Sequence, residues 1–365
     1  MKIVMTGGHH TGALPVIAKI SKDHPKDKIH WIGHKHSIRS DKNETLEYKE
    51  ISGLDIPFYD LKAGKLYRTF DPIRLVKIPF GVIQAFFLLL KIKPDIIMSF
   101  GGYLAAPVVL AGSFLGIPSV THEQTVVAGY ANKLIGKFAK KILLTWSVSE
   151  KYFDVRKTKV VGLPLRKEIF EASTNNFKLN PELPTIYITA GKTGSHVINK
   201  VVLASMADLL GVCNIIHQCG DTSTFNDYEM LMEQYSQLFT PGVYNLRRFV
   251  MGDEIGEAFK KADLVIGRSG AHTIYELLAL EKPAILIPIS WVSHNEQFEN
   301  ASLLYKAGLA RILEEKDLSA ETLFESVERA LGNLDSMKIV KQEIKESLVS
   351  NSADLIVDEL YETSK

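Results

Sequence analysis

Short apolar runs alternate with helical patterns of apolar residues along almost the whole chain. Strands are predicted to begin near Lys2, Ile29, Ile51, Asp95, Ser119, Ile142 and Lys159 in the first half, and near Thr185, Cys213, Val243, Asp263, Pro283 and Ala310 in the second. From about Ser319 onward the apolar positions follow helical spacing. Strands that alternate with helices in this way are typical of doubly wound parallel sheets. The sequence therefore predicts an α/β fold.

The same pattern divides the chain into two domains. Polar residues and prolines fill the segment just before residue 185, which offers no core of its own. The predicted divisions are 1–165 for the first domain, 166–184 for a linker, 185–340 for the second domain, and 341–365 for a C-terminal helix able to pack back on the first domain. Because ligands bind outside the carboxyl ends of parallel strands, two Rossmann-like doubly wound domains are expected to face a ligand-binding cleft.

Four glycine-rich turns each follow a predicted strand. They span residues 6–12, 99–103, 189–195 and 267–270. Glycine lets the backbone approach a ligand closely, and the first N–H groups of a following helix are free to bind an anion. Any single turn of this kind is adequately explained by glycine tightening a strand-to-helix connection. Four of them together favour ligand binding at the cleft.

The fourth turn carries the clearest chemistry. Arg268, Ser269 and Gly270 separate an apolar strand from a predicted helix, so the helix N-terminus and its dipole favour a diphosphate there. Glu276 falls about two turns into that helix on the scale of 3.6 residues per turn. A carboxylate at that place is suited to accept hydrogen bonds from the hydroxyl groups of a ribose.

Composition and motif spacing exclude several classes. No turn has the GxGxxG pattern with a following acidic residue, and the segment Gly191–Thr193 lacks the leading glycine of a P-loop because Ile186 stands there. A net charge of +1 gives no case for nucleic acid binding. Cys213 and Cys219 match neither a zinc site nor a disulfide framework, which indicates a reducing compartment. No Asp-x-Asp cluster for a metal and no cofactor motif is present.

Residues 78–92 depart from the pattern of a soluble α/β protein. Their apolar stretch is about a dozen residues long, short of the roughly 20 that a membrane span needs. Lys77, Lys91 and Lys93 flank the stretch, as expected for a helix that lies at a membrane surface. The alternative is a core helix between two strands, and opposite faces of one helix can serve both purposes. Contact with a membrane surface through residues 78–92 is therefore predicted.

Ordered motifs along nearly the whole chain resemble the MurG family of N-acetylglucosaminyltransferases, which complete the lipid-linked peptidoglycan precursor. The matching segments are Ser99–Tyr103 with Pro107, His122–Gln124, Ala128–Gly129, Asn132–Lys133, Val160–Arg166, Arg268–Glu276, Glu296–Gln297 and Asn300–Ala301. The resemblance implies two Rossmann-like domains in the GT-B arrangement. It also implies an inverting, metal-independent transfer of N-acetylglucosamine from UDP-N-acetylglucosamine to a hydroxyl of a polyprenyl-diphosphate-linked acceptor. The enzyme is then expected to be cytoplasmic and peripheral on the inner face of the plasma membrane.

The resemblance also assigns residues to each substrate. The donor site is expected in the second domain and comprises Arg166, Gly191, Lys192, Thr193, Gly194, Val250, Met251, Arg268, Ser269, Gly270, Ala271, His272, Thr273, Glu276, Glu296, Gln297 and Asn300. The acceptor site is expected in the first domain and comprises Gly7, Gly8, Thr11, Gly12, Gly101, Gly102, Tyr103, Gln124 and Asn132. With no metal, the departing diphosphate needs positive protein groups. Lys192, Arg166 and Arg268 are the candidates.

The chain departs from the family at several motif positions. Gly12 stands where the family has its first-turn histidine, and Lys192 where it has serine. Thr125 and Leu163 replace asparagines, and Glu296 replaces a glutamine. Because of these changes, the sequence does not determine which sugar is transferred or which acceptor receives it.

The general base has two candidate positions. A histidine suits proton transfer near neutral pH. His10, with His9 behind it, lies on the first glycine turn and is the predicted base. His122 with Glu123, at another predicted strand end, is the alternative.

Two other functions fit the same architecture. UDP-N-acetylglucosamine 2-epimerases act on the nucleotide sugar alone, and they have no need of an exposed apolar helix flanked by lysines. A catalytically silent nucleotide-sugar-binding protein is expected if Gly12 marks a lost base.

Overall fold

The computed structural model describes the chain apart from residue 9 and residues 37–43, 64–71, 192–193, 223 and 292–294, and it describes no side chains for 72–78. His9, Lys192 and Thr193 of the expected site lie outside the described residues. The chain forms two compact units. The first unit contains residues 1–165 and 349–365, and the second contains residues 166–348.

A parallel sheet of seven strands forms the centre of the first unit. The strands are β1 (Lys2–Thr6), β2 (Lys28–Gly33), β3 (Phe58–Asp60), β4 (Ile96–Ser99), β5 (Ser119–Glu123), β6 (Lys141–Leu144) and β7 (Thr158–Val160). The helices are α1 (His10–Asp23), α2 (Leu46–Ser52), α3 (Pro72–Ile92), α4 (Gly102–Phe114) and α5 (Tyr130–Phe138). The strand order is β3-β2-β1-β4-β5-β6-β7. Helices cover both faces of the sheet, which is why its strands are continuous apolar runs.

The second unit repeats the design with six parallel strands. They are β8 (Thr185–Thr189), β9 (Asn214–Gln218), β10 (Tyr244–Arg247), β11 (Leu264–Gly267), β12 (Ala284–Leu286) and β13 (Ala310–Ile312), in the order β10-β9-β8-β11-β12-β13. The helices are α6 (His196–Val212), α7 (Asp227–Ser236), α8 (Asp253–Lys261), α9 (Ala271–Ala279), α10 (Glu296–Ala307), α11 (Ala320–Leu331), α12 (Leu334–Met337) and α13 (Gln342–Lys345). The predicted fold class of two doubly wound parallel-sheet domains is confirmed.

One strand prediction is wrong. Ile51 was expected to begin a strand but lies near the end of α2, and the third strand begins at Phe58 instead. The Thr45 hydroxyl caps the helix by accepting a hydrogen bond from the Tyr48 amide. Glu47 and Ile51, four residues apart, then form the buried face of this short helix. Ile51 is therefore part of the buried face of a helix and does not begin a strand.

The segment 166–184, which the sequence assigns to a linker, lies within the second unit. Its Ile169 and Phe177 are buried. A buried carboxylate holds it in place, because Glu257 on α8 accepts hydrogen bonds from the Thr174 hydroxyl at 2.5 Å and the Phe177 amide at 3.0 Å. Such anchoring by a distant glutamate has no periodic signal in the sequence.

The chain ends on the first unit. Helix α14 (Ser352–Thr363) packs against α1 and against β5 and β6. The Glu359 carboxylate on this helix lies 2.6 Å from the Lys159 ammonium and 3.1 Å from that of Lys141. Of the segment 341–365 that the sequence assigns to a C-terminal helix, only residues 349–365 belong to the first unit.

Helix α3 has two apolar faces of different exposure. Ala85 and Leu89 are fully buried and pack into the core between α3 and the sheet. Phe80, Ile83 and Phe87 lie on the opposite face and are more than half exposed. Helix α3 therefore packs on the sheet and also presents an apolar stripe to its surroundings. No helix among the described residues combines the length and hydropathy that crossing a membrane requires.

Candidate ligand sites in the two units

Each unit has one topological switch point, where the chain leaves neighbouring strands in opposite directions. In the first unit β1 leads toward β2 and β4 leads toward β5, so the switch point lies between β1 and β4. In the second unit it lies between β8 and β11. Ligands of doubly wound sheets bind in the crevice that this divergence leaves at the carboxyl ends of the strands. The four glycine turns follow these four strands.

The two glycine turns of the first unit contact each other through their backbones. The Gly8 amide donates a hydrogen bond of 3.2 Å to the Gly101 carbonyl oxygen. Gly7 has φ +142°, and a side chain there would bring its Cβ to 2.9 Å from the Phe100 carbonyl carbon. Glycine is therefore required where the first turn passes the second.

The His-Glu-Gln segment supports the second glycine turn from behind. Asn132 accepts a hydrogen bond from the Gly102 amide at 2.8 Å and donates one of 2.7 Å to the Glu123 carboxylate. The other Glu123 oxygen accepts from the Thr125 amide and hydroxyl at 3.0 and 2.9 Å. Burial raises the pKa of Glu123, although these hydrogen bonds oppose the shift. Glu123 and Asn132 thus form a hydrogen-bonded support for the turn.

His122 lies in the interior of the first unit. Its side chain is fully buried, and Nε2 lies 2.9 Å from the Gly162 carbonyl oxygen and 3.2 Å from the Thr145 hydroxyl. Gln124 is also buried. Both side chains therefore lie in the interior of the first unit.

His10 begins α1 at the carboxyl end of β1. Its Nε2 lies 2.5 Å from a carboxylate oxygen of Glu50 on α2, and its ring is almost wholly buried. Thr11 and Gly12 follow in the first turn of α1 and are buried, while Tyr103 lies in the first turn of α4 and is partly exposed. The sequence reasoning missed Glu50, because it placed the neighbouring Ile51 in a strand. Helical spacing around the Thr45 cap was the signal that indicated α2.

The third glycine turn approaches the neighbouring backbone closely in the second unit. Gly191 and Gly194 have φ values of +72° and +71°. A side chain at Gly194 would collide with the Cys219 carbonyl oxygen. Ser195 ends the turn as the cap of α6 and accepts from the Ile198 amide.

Gln218 links the third turn to a neighbouring loop. Its amide nitrogen donates to the Gly191 carbonyl oxygen at 2.7 Å, and its amide oxygen accepts from the Val250 amide at 2.8 Å. Val250 is buried, and the adjacent Met251 is exposed. The sequence reasoning missed Gln218, whose only signal is a polar residue at the carboxyl end of an apolar strand.

The fourth turn is joined to the start of α10. The Ser269 hydroxyl donates to the Gln297 carbonyl oxygen at 2.7 Å, and the Asn300 amide group donates to the Ser269 carbonyl oxygen at 3.1 Å. Gln297 also accepts from the Ile289 amide at 3.0 Å, and Glu296 begins the helix. The conformation of the turn therefore depends on α10.

The N-terminus of α9 is the candidate anion-binding part of this site. Gly270 precedes the helix, and Ala271, His272 and Thr273 occupy its first turn, where N–H groups have no carbonyl partner within the helix. Glu276 follows on the next turn and is largely buried. One of its oxygens lies 3.4 Å from Nη2 of Arg166. The second unit thus groups the N-terminus of α9 with the Glu276 carboxylate and the Arg166 guanidinium group.

Comparisons with known proteins identify the family of both units. The Glycosyltransferase family 28 N-terminal domain matches residues 4–144, and the family's C-terminal domain matches residues 185–358. The UDP-N-acetylglucosamine–N-acetylmuramyl-(pentapeptide) pyrophosphoryl-undecaprenol N-acetylglucosamine transferase of Clostridium perfringens (strain SM101 / Type A) is 34% identical, over 98% of this chain and 97% of its own. The protein of the same name from Legionella pneumophila (strain Paris) is 32% identical, over 97% and 95%.

Solved structures share the fold over the full chain. MurG of Acinetobacter baumannii matches with a TM-score of 0.72 and 22% identity, over 99% of both chains. The UDP-GlcNAc 2-epimerase of Neisseria meningitidis, solved with UDP-GlcNAc bound, matches with a TM-score of 0.68 and 15% identity, over 99% of this chain and 100% of its own. At these identities the structures establish the fold alone. The sequence relatives decide the family: the chain belongs to glycosyltransferase family 28, among the MurG-like N-acetylglucosamine transferases.

Proposed function

We propose that the protein is an inverting, metal-independent glycosyltransferase. It moves N-acetylglucosamine from UDP-N-acetylglucosamine to a hydroxyl of a polyprenyl-diphosphate-linked acceptor in peptidoglycan precursor synthesis. The observation that carries the proposal is the grouping at α9, where a helix N-terminus for a diphosphate is followed by the Glu276 carboxylate for a ribose. The names and near full-length coverage of the sequence relatives support the same reaction.

The donor binds to the second unit in this proposal. The N–H groups at the start of α9 and the third glycine turn bind the diphosphate, which places the leaving group in a field of oriented dipoles. Glu276 accepts hydrogen bonds from the ribose hydroxyls. Nη2 of Arg166 lies 3.4 Å from the Glu276 carboxylate, and the residue is partly exposed. Its guanidinium group is therefore close to the proposed ribose site, where it neutralises negative charge on the departing UDP.

The acceptor binds to the first unit, at the two glycine turns. The acceptor hydroxyl oxygen forms a bond to the anomeric carbon from the face opposite the diphosphate, and the bond from that carbon to the diphosphate oxygen breaks. The configuration is thereby inverted, and the hydroxyl proton passes to a base. Exposed backbone at Gly8, beside the buried Gly101, offers the acceptor a close approach.

The base in this proposal is His10. It lies in the first glycine turn at the carboxyl end of β1, and the Glu50 carboxylate fixes the orientation of its ring. A carboxylate that orients a histidine is the usual support for a general base. Nε2 of His122 instead lies 2.9 Å from the Gly162 backbone carbonyl, and this contact favours a structural role for that histidine.

Acceptor dependence of UDP release tests the proposed function. The full chain is incubated with UDP-N-acetylglucosamine, with and without a polyprenyl-diphosphate-linked acceptor, and UDP and sugar products are quantified. We expect UDP release only when the acceptor is present. Conversion of the nucleotide sugar without the acceptor indicates the epimerase, and binding with no turnover indicates a silent binding protein.

Glu276→Gln tests the ribose contact. The substitution keeps the size of the side chain and one acceptor oxygen but removes the charge. A charge-assisted hydrogen bond of about 1.5–3 kcal/mol becomes a neutral one of about 0.5–1.5 kcal/mol, so UDP binding should weaken by about 1 kcal/mol. Calorimetry with UDP and with a dideoxyribose analogue measures the effect. The wild type should prefer UDP to the analogue, and the preference should be smaller in the variant. Glu281→Gln, at the exposed ion pair with Lys345, is the matched control. Equal UDP affinity in wild type and Glu276→Gln would exclude the contact.

His10→Ala tests the base. Turnover should fall by about 10²–10⁴, the usual share of general base catalysis, with UDP affinity unchanged. His9→Ala should lower turnover by a smaller factor. The idea fails if both variants keep full acceptor-dependent turnover while His122→Ala, still folded, abolishes it.

We propose that the protein acts at the inner face of the plasma membrane, bound peripherally through residues 78–92. Phe80, Ile83, Phe87 and Leu90 form an exposed apolar stripe on α3. The exposed Lys91 at the end of the helix is placed to meet anionic lipid. A lipid-linked acceptor is presented at such a surface.

Serine substitutions on the two faces of α3 separate membrane contact from packing. Ile83→Ser with Phe87→Ser should release the protein from anionic vesicles in a flotation assay and leave its Tm nearly unchanged, because both side chains are exposed. Leu89→Ser should lower the Tm and keep vesicle binding, because Leu89 is fully buried and its loss costs about 2–5 kcal/mol. Vesicle binding that survives the double substitution would rule out this surface.

A further inference from the structure

Arg268 has its guanidinium group inside the second unit rather than at a surface. Only 8% of the residue is exposed. Nη1 donates to the Ile287 carbonyl oxygen at 3.0 Å. Nη2 donates to the Ser195 hydroxyl oxygen at 2.8 Å and to a Glu315 carboxylate oxygen at 2.6 Å. The two protons of Nη2 are therefore both committed to protein atoms.

These contacts join four segments at the carboxyl edge of the sheet. Arg268 itself follows β11, and Ser195 closes the glycine turn that follows β8. Ile287 follows β12, and Glu315 begins a single 3₁₀ turn after β13. A planar guanidinium group with fixed donor directions holds such partners in one arrangement.

Ser195 makes this arrangement important for the phosphate-binding turn. Its hydroxyl oxygen caps α6 by accepting from the Ile198 amide and also accepts from Arg268. The start of α6 is thereby fixed to the fourth turn, while Gln218 fixes the other end of the third turn at Gly191. The Glu315 carboxylate, 2.6 Å away and mostly buried, balances the charge of Arg268.

We propose that Arg268 and Glu315 form an ion-paired brace that positions Ser195, the cap of α6 at the end of the third glycine turn, for binding of the diphosphate. Glu315 is then a positioning residue for donor binding, although it does not touch the donor. The inference deepens the proposed function and rests on it. It also replaces the expectation that Arg268 supplies a cation to the diphosphate, because the charge of Arg268 is satisfied by Glu315.

The two possible roles of Arg268, a brace or a cation that binds the diphosphate, predict different changes in UDP affinity when Glu315 is replaced by glutamine. If Arg268 binds phosphate directly, Glu315→Gln removes a competing carboxylate, and UDP affinity stays the same or rises. If Arg268 is a brace, the same substitution loosens Ser195 and the turn, and UDP affinity falls. Uridine lacks the phosphates, so its affinity should not depend on the brace.

Calorimetry of the full chain with UDP and with uridine tests the proposal. Glu315→Gln and Ser195→Ala should each weaken UDP binding about tenfold and leave uridine binding within about twofold. The double variant should lose little more than either single variant, because both act through one guanidinium group. Glu314→Gln is the matched control, since Glu314 is exposed and pairs with Lys316. It should bind both ligands as the wild type does.

The outcomes separate this inference from the proposed function. A wild type that binds UDP no more tightly than uridine contradicts the diphosphate site itself. A wild type that prefers UDP, with Glu315→Gln at equal or higher UDP affinity, overturns the brace and makes Arg268 the phosphate cation. Equal losses for UDP and uridine also overturn it, since they indicate a general structural role. Unchanged uridine binding shows that a variant is folded.

Discussion

Close backbone approach at the ends of the central strands is the constraint on which both units depend. The first and second turns meet through the hydrogen bond from Gly8 to Gly101, and the third turn passes the Cys219 carbonyl with no room for a side chain at Gly194. Parallel strands whose connections diverge leave a crevice, and only glycine lets the chain turn there without filling it. The place of each candidate ligand site is therefore set by the order of the strands, and side chains act on a crevice that the strand order has already formed.

Polar side chains from behind keep these turns in place. Asn132 and Glu123 hold the second turn, Gln218 holds one end of the third, and Arg268 with Glu315 holds the other. Each of these groups is wholly or largely withdrawn from water and hydrogen-bonded, so its loss would leave a buried partner unsatisfied. Preorganised turns of this kind reduce the reorganisation needed when charge develops on a leaving group.

The sequence was sufficient for features that repeat locally. Strand and helix alternation, the glycine turns and the carboxylate at Glu276 all follow from patterns within about ten residues. Contacts between distant segments have no such pattern: Glu50 reaches His10 from α2, and Glu315 reaches Arg268 from beyond β13. The same limit explains the wrong prediction at Ile51, whose place in α2 depends on a cap. Leu89 is buried in the core while its neighbour Leu90 is exposed, although the sequence gives both the same apolar character. Which apolar residue faces the sheet is decided by packing.

The central claim is that the donor diphosphate binds at the switch point of the second unit. Hydrogen exchange of the full chain, with and without saturating UDP, measures this directly. The account predicts slower exchange in peptides covering 189–196, 248–253 and 267–276, with little change at 6–12 and 99–103. Slower exchange confined to the turns of the first unit, or none at the third and fourth turns, would contradict it.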